Sequence, residues 1–374
     1  MGHPRFFSEF ELATRFTRAT FQFASSPTMS VLDGFHRVAT FYPGRSTDVF
    51  AVSKGLSMLA TGHRTSVCLF SLPRAAAELP PDPWQGTRST GAVNLETITD
   101  FTFLGVVGLA FTDASNPLPN RLLVTLFNHD RVFIVNPCTR VVEGHLPLPC
   151  AEGGECYQVA SWGPLVAVSW IGRGPGPSLF SITVLKNTGG AWAPVCVIAP
   201  PDRVRRSQSR YLQFSEDGSK LLSVWGFLRT VCETHDIPSG AVTRTYVVDH
   251  DSQARHVVWT PGQSYLMMER KDPNRISGME VVDKAADAPW CLGPETRDVA
   301  VQGRLPLGLF HSNYIQFVPG LGLFAQDGSL GNVVMFSNEQ CIGMDLGPLR
   351  AAWMSVVVRG VERRRRNAVA AAAV

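Results

Sequence analysis

The chain has 374 residues, 45% of them hydrophobic, which is enough for one large all-β domain or two ordinary domains with a sizeable core. Lys and Arg total 34 against 31 Asp and Glu, so the net charge of +3 excludes a global electrostatic attraction to nucleic acid or an anionic membrane. No apolar run approaches the ~20 residues that span a bilayer, and the N-terminus lacks the basic-then-apolar order of a secretory signal.

Arg5, Arg15 and Arg18 stand among phenylalanines, as in an organelle transit peptide, but Glu9 and Glu11 carry the wrong charge for one. Residues 1–30 are read as an N-terminal extension and 31–338 as the folded domain. The first repeating module then runs from about Asp48 to Pro73: Val49–Val52 is a strand, Lys54-Gly55 turns it, Met58–Gly62 returns and Ser66–Phe70 adds a third strand. Arg74 to Gly91 reads as a loop, since Pro80, Pro81 and Pro83 remove backbone donors and hold the chain extended.

The second module is Val106–Phe111, a loop with Pro117 and Pro119, then Arg121–Leu126 and Asp130–Val135. Runs of Val, Ile and Phe cut by polar turns argue for strands, because helical apolar spacing would be three and four. The third holds Tyr157–Ala160, Pro164–Ser169 and Leu179–Leu185, with Trp192 to Ile198 as an outer strand. The fourth begins at Tyr211-Leu212-Gln213-Phe214, and its Glu216-Asp217-Gly218 is the sharpest hairpin signal in the chain, Asp and Gly supplying the positive φ of a tight reversal.

The fifth runs through His256–Trp259, Tyr265–Met268 and Ile276–Val282, and the sixth through Tyr314–Phe317, Leu321–Ala325 and Asn332–Phe336. Equivalent turns recur at roughly 45 to 60 residues, a period that suits four-stranded propeller blades with uneven loops. Closing six such modules on themselves removes the exposed sheet edges of an open row. The closing strand is expected at Ala19 to Ala24 or Arg37 to Phe41, a seventh blade built from both termini being the rival count. Trp353, Val357 and Val361 recur at helical spacing, so 339–374 is read as a short C-terminal helix ending in the basic tail Arg363–Arg366, with a frayed Ala-Val end.

Leu122-Leu123-Val124-Thr125-Leu126-Phe127-Asn128-His129-Asp130-Arg131-Val132-Phe133-Ile134-Val135 resembles the core of an NHL repeat: apolar strand, Asp, two polar residues, Asn, Arg, Val and a further strand. Gly163–Val168 and Val318–Leu323 look like the divergent NHL-like propellers of some protists, and the resemblance covers about residues 45 to 338. Leu126 stands where the motif has Asp, and the fifth module keeps only Asn274-Arg275-Ile276. The resemblance implies an all-β fold, a six-bladed β-propeller of NHL- or TolB-like architecture, in which Asn128, Arg131, Asn274 and Arg275 make turn and inter-strand hydrogen bonds.

The eight cysteines, at 68, 138, 150, 156, 196, 232, 291 and 341, form no Cys-x-x-Cys pair and have no His at zinc-ligand spacing, so neither a RING nor a zinc knuckle is present. They read as buried thiols, which favours a reducing, cytoplasmic compartment. There is no His-Glu-x-x-His, phosphate loop, nucleophile elbow or Gly-x-Gly-x-x-Gly after a strand, so no catalytic residue, metal or cofactor is assigned. Asp249, Asp251 and Asp327 are the residue types of an axial calcium site like that of gluconolactonase-type propellers, but turn acids are the simpler reading. His129 and His256 lack a placed partner and read as turn or rim residues.

Arg203, Arg205, Arg206 and Arg210, in the connection entering the fourth module, are the best binding candidates, because inter-blade loops gather on one face and would present the four guanidinium groups together. Asp202 offsets part of this charge, and a solvated loop is the competing reading. The expected function is a non-catalytic, monomeric binding platform for a protein partner, of which the NHL resemblance carries over only the recognition half. An RNA-binding propeller and a calcium-dependent lactonase- or esterase-like hydrolase are the alternatives.

Overall fold

The structure, a computed structural model, describes residues 36–44, 47, 49–73, 78–80, 85–95, 105–146, 154–172, 179–188, 191–204, 209–226, 230–248, 253–259, 265–271, 278–283, 290–292, 301–306, 315–318, 320–327 and 331–337. All of them lie in the compact unit Val31–Met344. The expected C-terminal helix, the Arg363–Arg366 tail, the 1–30 extension, and Asn274 and Arg275 fall outside the described residues.

β1 (His36–Tyr42) precedes the first sheet, which contains β2 (Val49–Ser53), β3 (Met58–His63) and β4 (Ser66–Ser71). β5 (Gly86–Arg88) leaves that sheet before β6 (Gly91–Asn94) returns to complete it. β7 (Val106–Phe111), β8 (Leu122–Leu126), β9 (Val132–Asn136) and β10 (Val141–Leu146) form the next sheet. β11 (Glu155–Trp162), β12 (Leu165–Gly172), β13 (Leu179–Thr188) and β14 (Ala191–Ile198) form another. After a 3-10 turn at Asp202–Val204 come β15 (Ser209–Phe214), β16 (Lys220–Trp225), β17 (Thr230–Asp236) and β18 (Val242–Val248).

β19 (Gln253–Trp259), β20 (Tyr265–Lys271) and β21 (Gly278–Asp283) are followed by β22 (Trp290–Leu292) and β23 (Val301–Pro306). β24 (Ile315–Val318), β25 (Gly322–Asp327) and β26 (Asn332–Ser337) end the described chain. The four principal strands of each sheet pair antiparallel, and the first strands pack on one another in a ring: β2, β7, β11, β15, β19, β24 and back to β2. This is an all-β propeller. β1 joins the last sheet antiparallel to β26, with Phe41 opposite Val333, so the ring is closed by a strand from the start of the chain. That is the Arg37-to-Phe41 alternative; Ala19 to Ala24 lies outside the described residues.

Packing explains the sequence pattern. A middle strand has a neighbouring sheet on both faces, so β8 reads Leu-Leu-Val-Thr-Leu and is buried throughout, as is β26. The outer strand β10 alternates between exposed and half-buried residues. Between the second and third sheets, Leu123, Ile134 and Leu146 pack with Cys156, Val159 and Val168. At the closure, Phe41 of β1 stacks on Phe324 of its own sheet, centroids 6.5 Å apart, and meets Phe70 of the next edge-on at 5.7 Å.

The Arg74-to-Gly91 segment is more than a loop. Its Gly86–Arg88 pairs in parallel with β1 and extends the closing sheet outward, and Trp290–Leu292 pairs in the same way with β18. In both places the connection from third to fourth strand of one sheet reaches the outer edge of the sheet before it.

Glutamines on inner strands tie adjacent sheets together. Gln213 accepts the Trp259 N–H at 2.8 Å, Gln316 accepts the Val52 N–H at 3.1 Å and Gln158 donates to the Val107 carbonyl at 2.6 Å. Replacing Gln213 by Leu leaves the Trp259 amide without that acceptor, and we expect a loss of about 1 to 2 kcal/mol in urea unfolding. A change within 0.3 kcal/mol would show that water takes the amide.

Candidate functional site

An antiparallel meander fixes which turns share a face. Turns after the second strand of each sheet, and the connectors between sheets, gather at one face of the ring; turns after the first and third strands gather at the other. Hydrogen bonds confirm the grouping on the connector face. Arg64, in the β3–β4 turn, accepts from Val106 N at 2.7 Å, and Phe127, in the β8–β9 turn, donates to the Gly105 carbonyl at 2.7 Å. His129 of the same turn accepts from Cys156 N at 2.8 Å.

The β8–β9 turn is therefore pinned to the connectors on both sides. Asn128 takes the left-handed conformation, φ 60°, that a tight reversal needs, in keeping with a turn role. Phe127 is 40% exposed and meets the Tyr157 ring edge-on at 5.9 Å. His129 packs on Phe133, and its Nδ1 accepts the Arg131 N–H at 3.2 Å. Burial lowers the His129 pKa, partly opposed by Asp130, so the ring stays a neutral acceptor in the turn. Among the described residues Arg131 has no inter-strand bond of the kind the resemblance implies, and its half-exposed side chain faces Asp130 at 3.6 Å.

The four candidate arginines are only partly placed. Arg203 sits at the centre of the 3-10 turn, while Arg205 and Arg206 fall outside the described residues. Arg210 is the second residue of β15, and its Nη1 donates to the Gly226 carbonyl at 3.3 Å. That bond ties the connector to the β16–β17 turn, a structural duty that the sequence did not reveal. His256 lies on strand β19 rather than in a loop. Asp249 and Asp251 are outside the described residues, and Asp327 ends β25 paired with Asn332. Among the described residues no group of three His, Cys, Asp or Glu is placed to hold a metal ion.

One buried polar cluster has the residue types of a hydrolase. Trp225 Nε1 donates to Ser223 Oγ at 2.7 Å, Ser223 Oγ lies 2.9 Å from His235 Nε2, and Glu233 Oε2 is 3.6 Å from that same nitrogen. A catalytic relay needs the carboxylate at the other ring nitrogen. Ser223 and His235 also have no exposed surface, which denies a substrate access. Ser223 Oγ also lies within donating distance of the Glu233 carbonyl at 3.4 Å, so toward His235 it can serve as donor or acceptor. Burial pushes His235 down to about 4, against the pull of the Gly240 backbone, and Glu233 up to about 7, against a Thr245 hydrogen bond. Burial likewise lifts the Cys232 thiol to about 12, so it is inert.

No protein-family description matches the chain, and no curated protein is similar to it by sequence. Solved structures are similar in shape. Hydrazine synthase from Kuenenia stuttgartiensis superposes with a TM-score of 0.51 at 16% identity, over 86% of this chain and 81% of that one. The β-propeller domain of Cps50 (Swd1) from Myceliophteria thermophila gives 0.48 at 9% identity, over 81% of this chain and 99% of that one. At such identities the likeness is one of fold. Among the described residues no helix is long and apolar enough to cross a membrane.

Proposed function

We propose that this protein is a non-catalytic binding platform that takes a protein partner on the connector face of its propeller, each of the six sheets serving as one blade. The β8–β9 turn carries the reading. It holds an exposed aromatic, Phe127, beside the charged pair Asp130 and Arg131, and backbone hydrogen bonds on both flanks fix it before any partner arrives. Aromatic and arginine side chains dominate the energetics of protein interfaces, and a pinned loop loses little entropy on binding. The NHL-like reading of Leu122 to Val135 belongs to this proposal, supported by the β8–β9 hairpin and its left-handed Asn128.

The domain is taken as 31–338 in a monomeric, cytoplasmic protein, a setting that suits the free thiols of Cys68, Cys138, Cys156, Cys196 and Cys232. The arginines from 203 to 210 favour a second reading, RNA bound on the same face. Affinity purification of the intact chain against its Phe127→Ser variant, with and without ribonuclease, tests both. A defined protein retained through ribonuclease and depleted about tenfold by Phe127→Ser is expected. Recovery that ribonuclease abolishes, and that replacing Arg203, Arg205, Arg206 and Arg210 by Ala also abolishes, would overturn the protein reading in favour of RNA.

A further inference from the structure

Two outer sheet edges in this fold are each covered by a three-residue parallel strand, β5 on β1 and β22 on β18. Among the described residues β10 is the outermost strand of its sheet and pairs only with β9, so its other edge offers N–H and C=O groups to a further chain. Beside that edge runs a groove of about 540 Å³ between the first two sheets. Val93 of β6 and Phe133 of β9 line it, 3% and 4% exposed, together with Val141, which is 54% exposed.

The two ends of the groove carry cations. Arg131 precedes β9 and Arg140 precedes β10, and the strands are antiparallel, so the two arginines stand at opposite ends. The length of β9 separates them, roughly 17 Å at ~3.3 Å per residue. Arg140 is held in place: Asn136 Oδ1 accepts the N–H groups of Cys138 and Thr139, and Arg140 itself turns at φ 62°. Its Nη2 donates across the groove to the Thr90 carbonyl at 2.8 Å, and its guanidinium lies where a side chain on Gly91 would have to stand. Arg131 is 52% exposed, with Asp130 as an open surface partner at 3.6 Å, a contact of small energy. The groove's own carboxylate, Glu143, is already taken by Arg121 at 2.5 Å and Asn136 at 2.9 Å.

We propose that this groove takes an extended acidic segment of a partner protein, its main chain added as a strand to β10 and two carboxylates, four or six residues apart and so on one face of that strand, on Arg131 and Arg140. A peptide fits better than a nucleic acid. The unpaired edge suits a peptide backbone, the exposed Val141 offers an apolar contact to a side chain of that strand, and the groove's Phe, Phe133, is buried and cannot stack on a base. The site lies on the rim and goes beyond the connector-face reading: it shares Arg131 with that turn, and Phe127 takes no part in it.

The test is fluorescence anisotropy of the full chain with a labelled peptide of alternating Val and Glu, with Gln-for-Glu and Lys-for-Glu peptides as controls. Saturable binding of the Glu peptide is expected, weakened about tenfold by Arg131→Gln and by Arg140→Gln, a factor worth 1.4 kcal/mol each. Gly91→Ala keeps both charges but displaces the Arg140 guanidinium, and weakens binding to a similar degree. Amide exchange over Val141–Leu146 slows when the peptide is added. Equal affinity for the Gln or Lys peptide, indifference to these variants, unchanged exchange along β10, or displacement of the peptide by polyuridine would each overturn the proposal. Should Arg140→Gln fail to fold, Arg131→Gln and Arg131→Glu decide it.

Discussion

Gly218→Val is expected to lower the stability of this protein by about 3 kcal/mol, well beyond a typical surface change. Two costs combine. Gly218 adopts φ +70° in the turn between β15 and β16, where its N–H donates to the Ser215 carbonyl at 2.9 Å, and a β-branched residue resists that conformation. It is also buried beneath the Trp162 ring of the neighbouring sheet, so an added Cβ collides with the indole, whose Nε1 donates to the Glu216 carbonyl at 2.9 Å. The rest of the turn is well made: Asp217 accepts from Ser215 and Ser219, which hold its carboxyl down at about 2. Urea unfolding of Gly218→Val, Trp162→Ala and the double variant separates the two terms. With Trp162 already removed, Gly218→Val should cost only about 1 to 2 kcal/mol, the backbone part. A single variant within 0.5 kcal/mol of the parent would remove the basis of the turn assignment.

The second large effect is a pair of opposed pH dependences hidden in the Ser223, Glu233 and His235 cluster. Glu233 titrates near 7 in the fold against an ordinary value of 4.5, so the folded state binds its proton more tightly. Its contribution is fully present below pH 4.5 and is lost as pH rises to about 7. His235 titrates near 4 against 6.5, so its contribution is present above pH 6.5 and is lost as pH falls to about 4. Between pH 4.5 and 6.5 the slopes contributed by these two groups oppose and offset each other. Glu233→Gln should unmask stability that climbs with pH over that window, and His235→Gln stability that falls, each by roughly 2 kcal/mol. Chemical denaturation across pH 4 to 7 reads both variants. Parallel profiles for the two would mean that the groups titrate as they do in the unfolded chain.

Such a cluster was not legible in the sequence, because Ser223, Glu233 and His235 lie on two adjacent strands in β-register, Ser223 opposite Glu233, within an otherwise ordinary apolar run. The inter-sheet glutamines were more accessible. Tyr211-Leu212-Gln213-Phe214 and Tyr314-Ile315-Gln316-Phe317 repeat the same phrase, and a polar residue recurring inside an apolar inner strand signals a shared hydrogen bond. Arg140 gave no signal at all: it follows an Asn-Pro turn like any solvated residue, and only the adjacent sheet supplies Thr90 and Gly91 beneath it.

By itself the sequence determined the all-β character, the positions of the middle strands and the tight turn at Asp217-Gly218, since these rest on local physics: apolar runs for strands buried on both faces, and positive φ at a glycine. Tertiary structure alone decided that His36–Tyr42 closes the ring, that Gly86–Arg88 and Trp290–Leu292 cross to a neighbouring sheet, and that Arg131 and Arg140 face one groove. Each of these is a contact between segments distant in the chain, set by the twist and closure of the sheets. Short polar strands such as Gly-Thr-Arg have no propensity of their own to announce it.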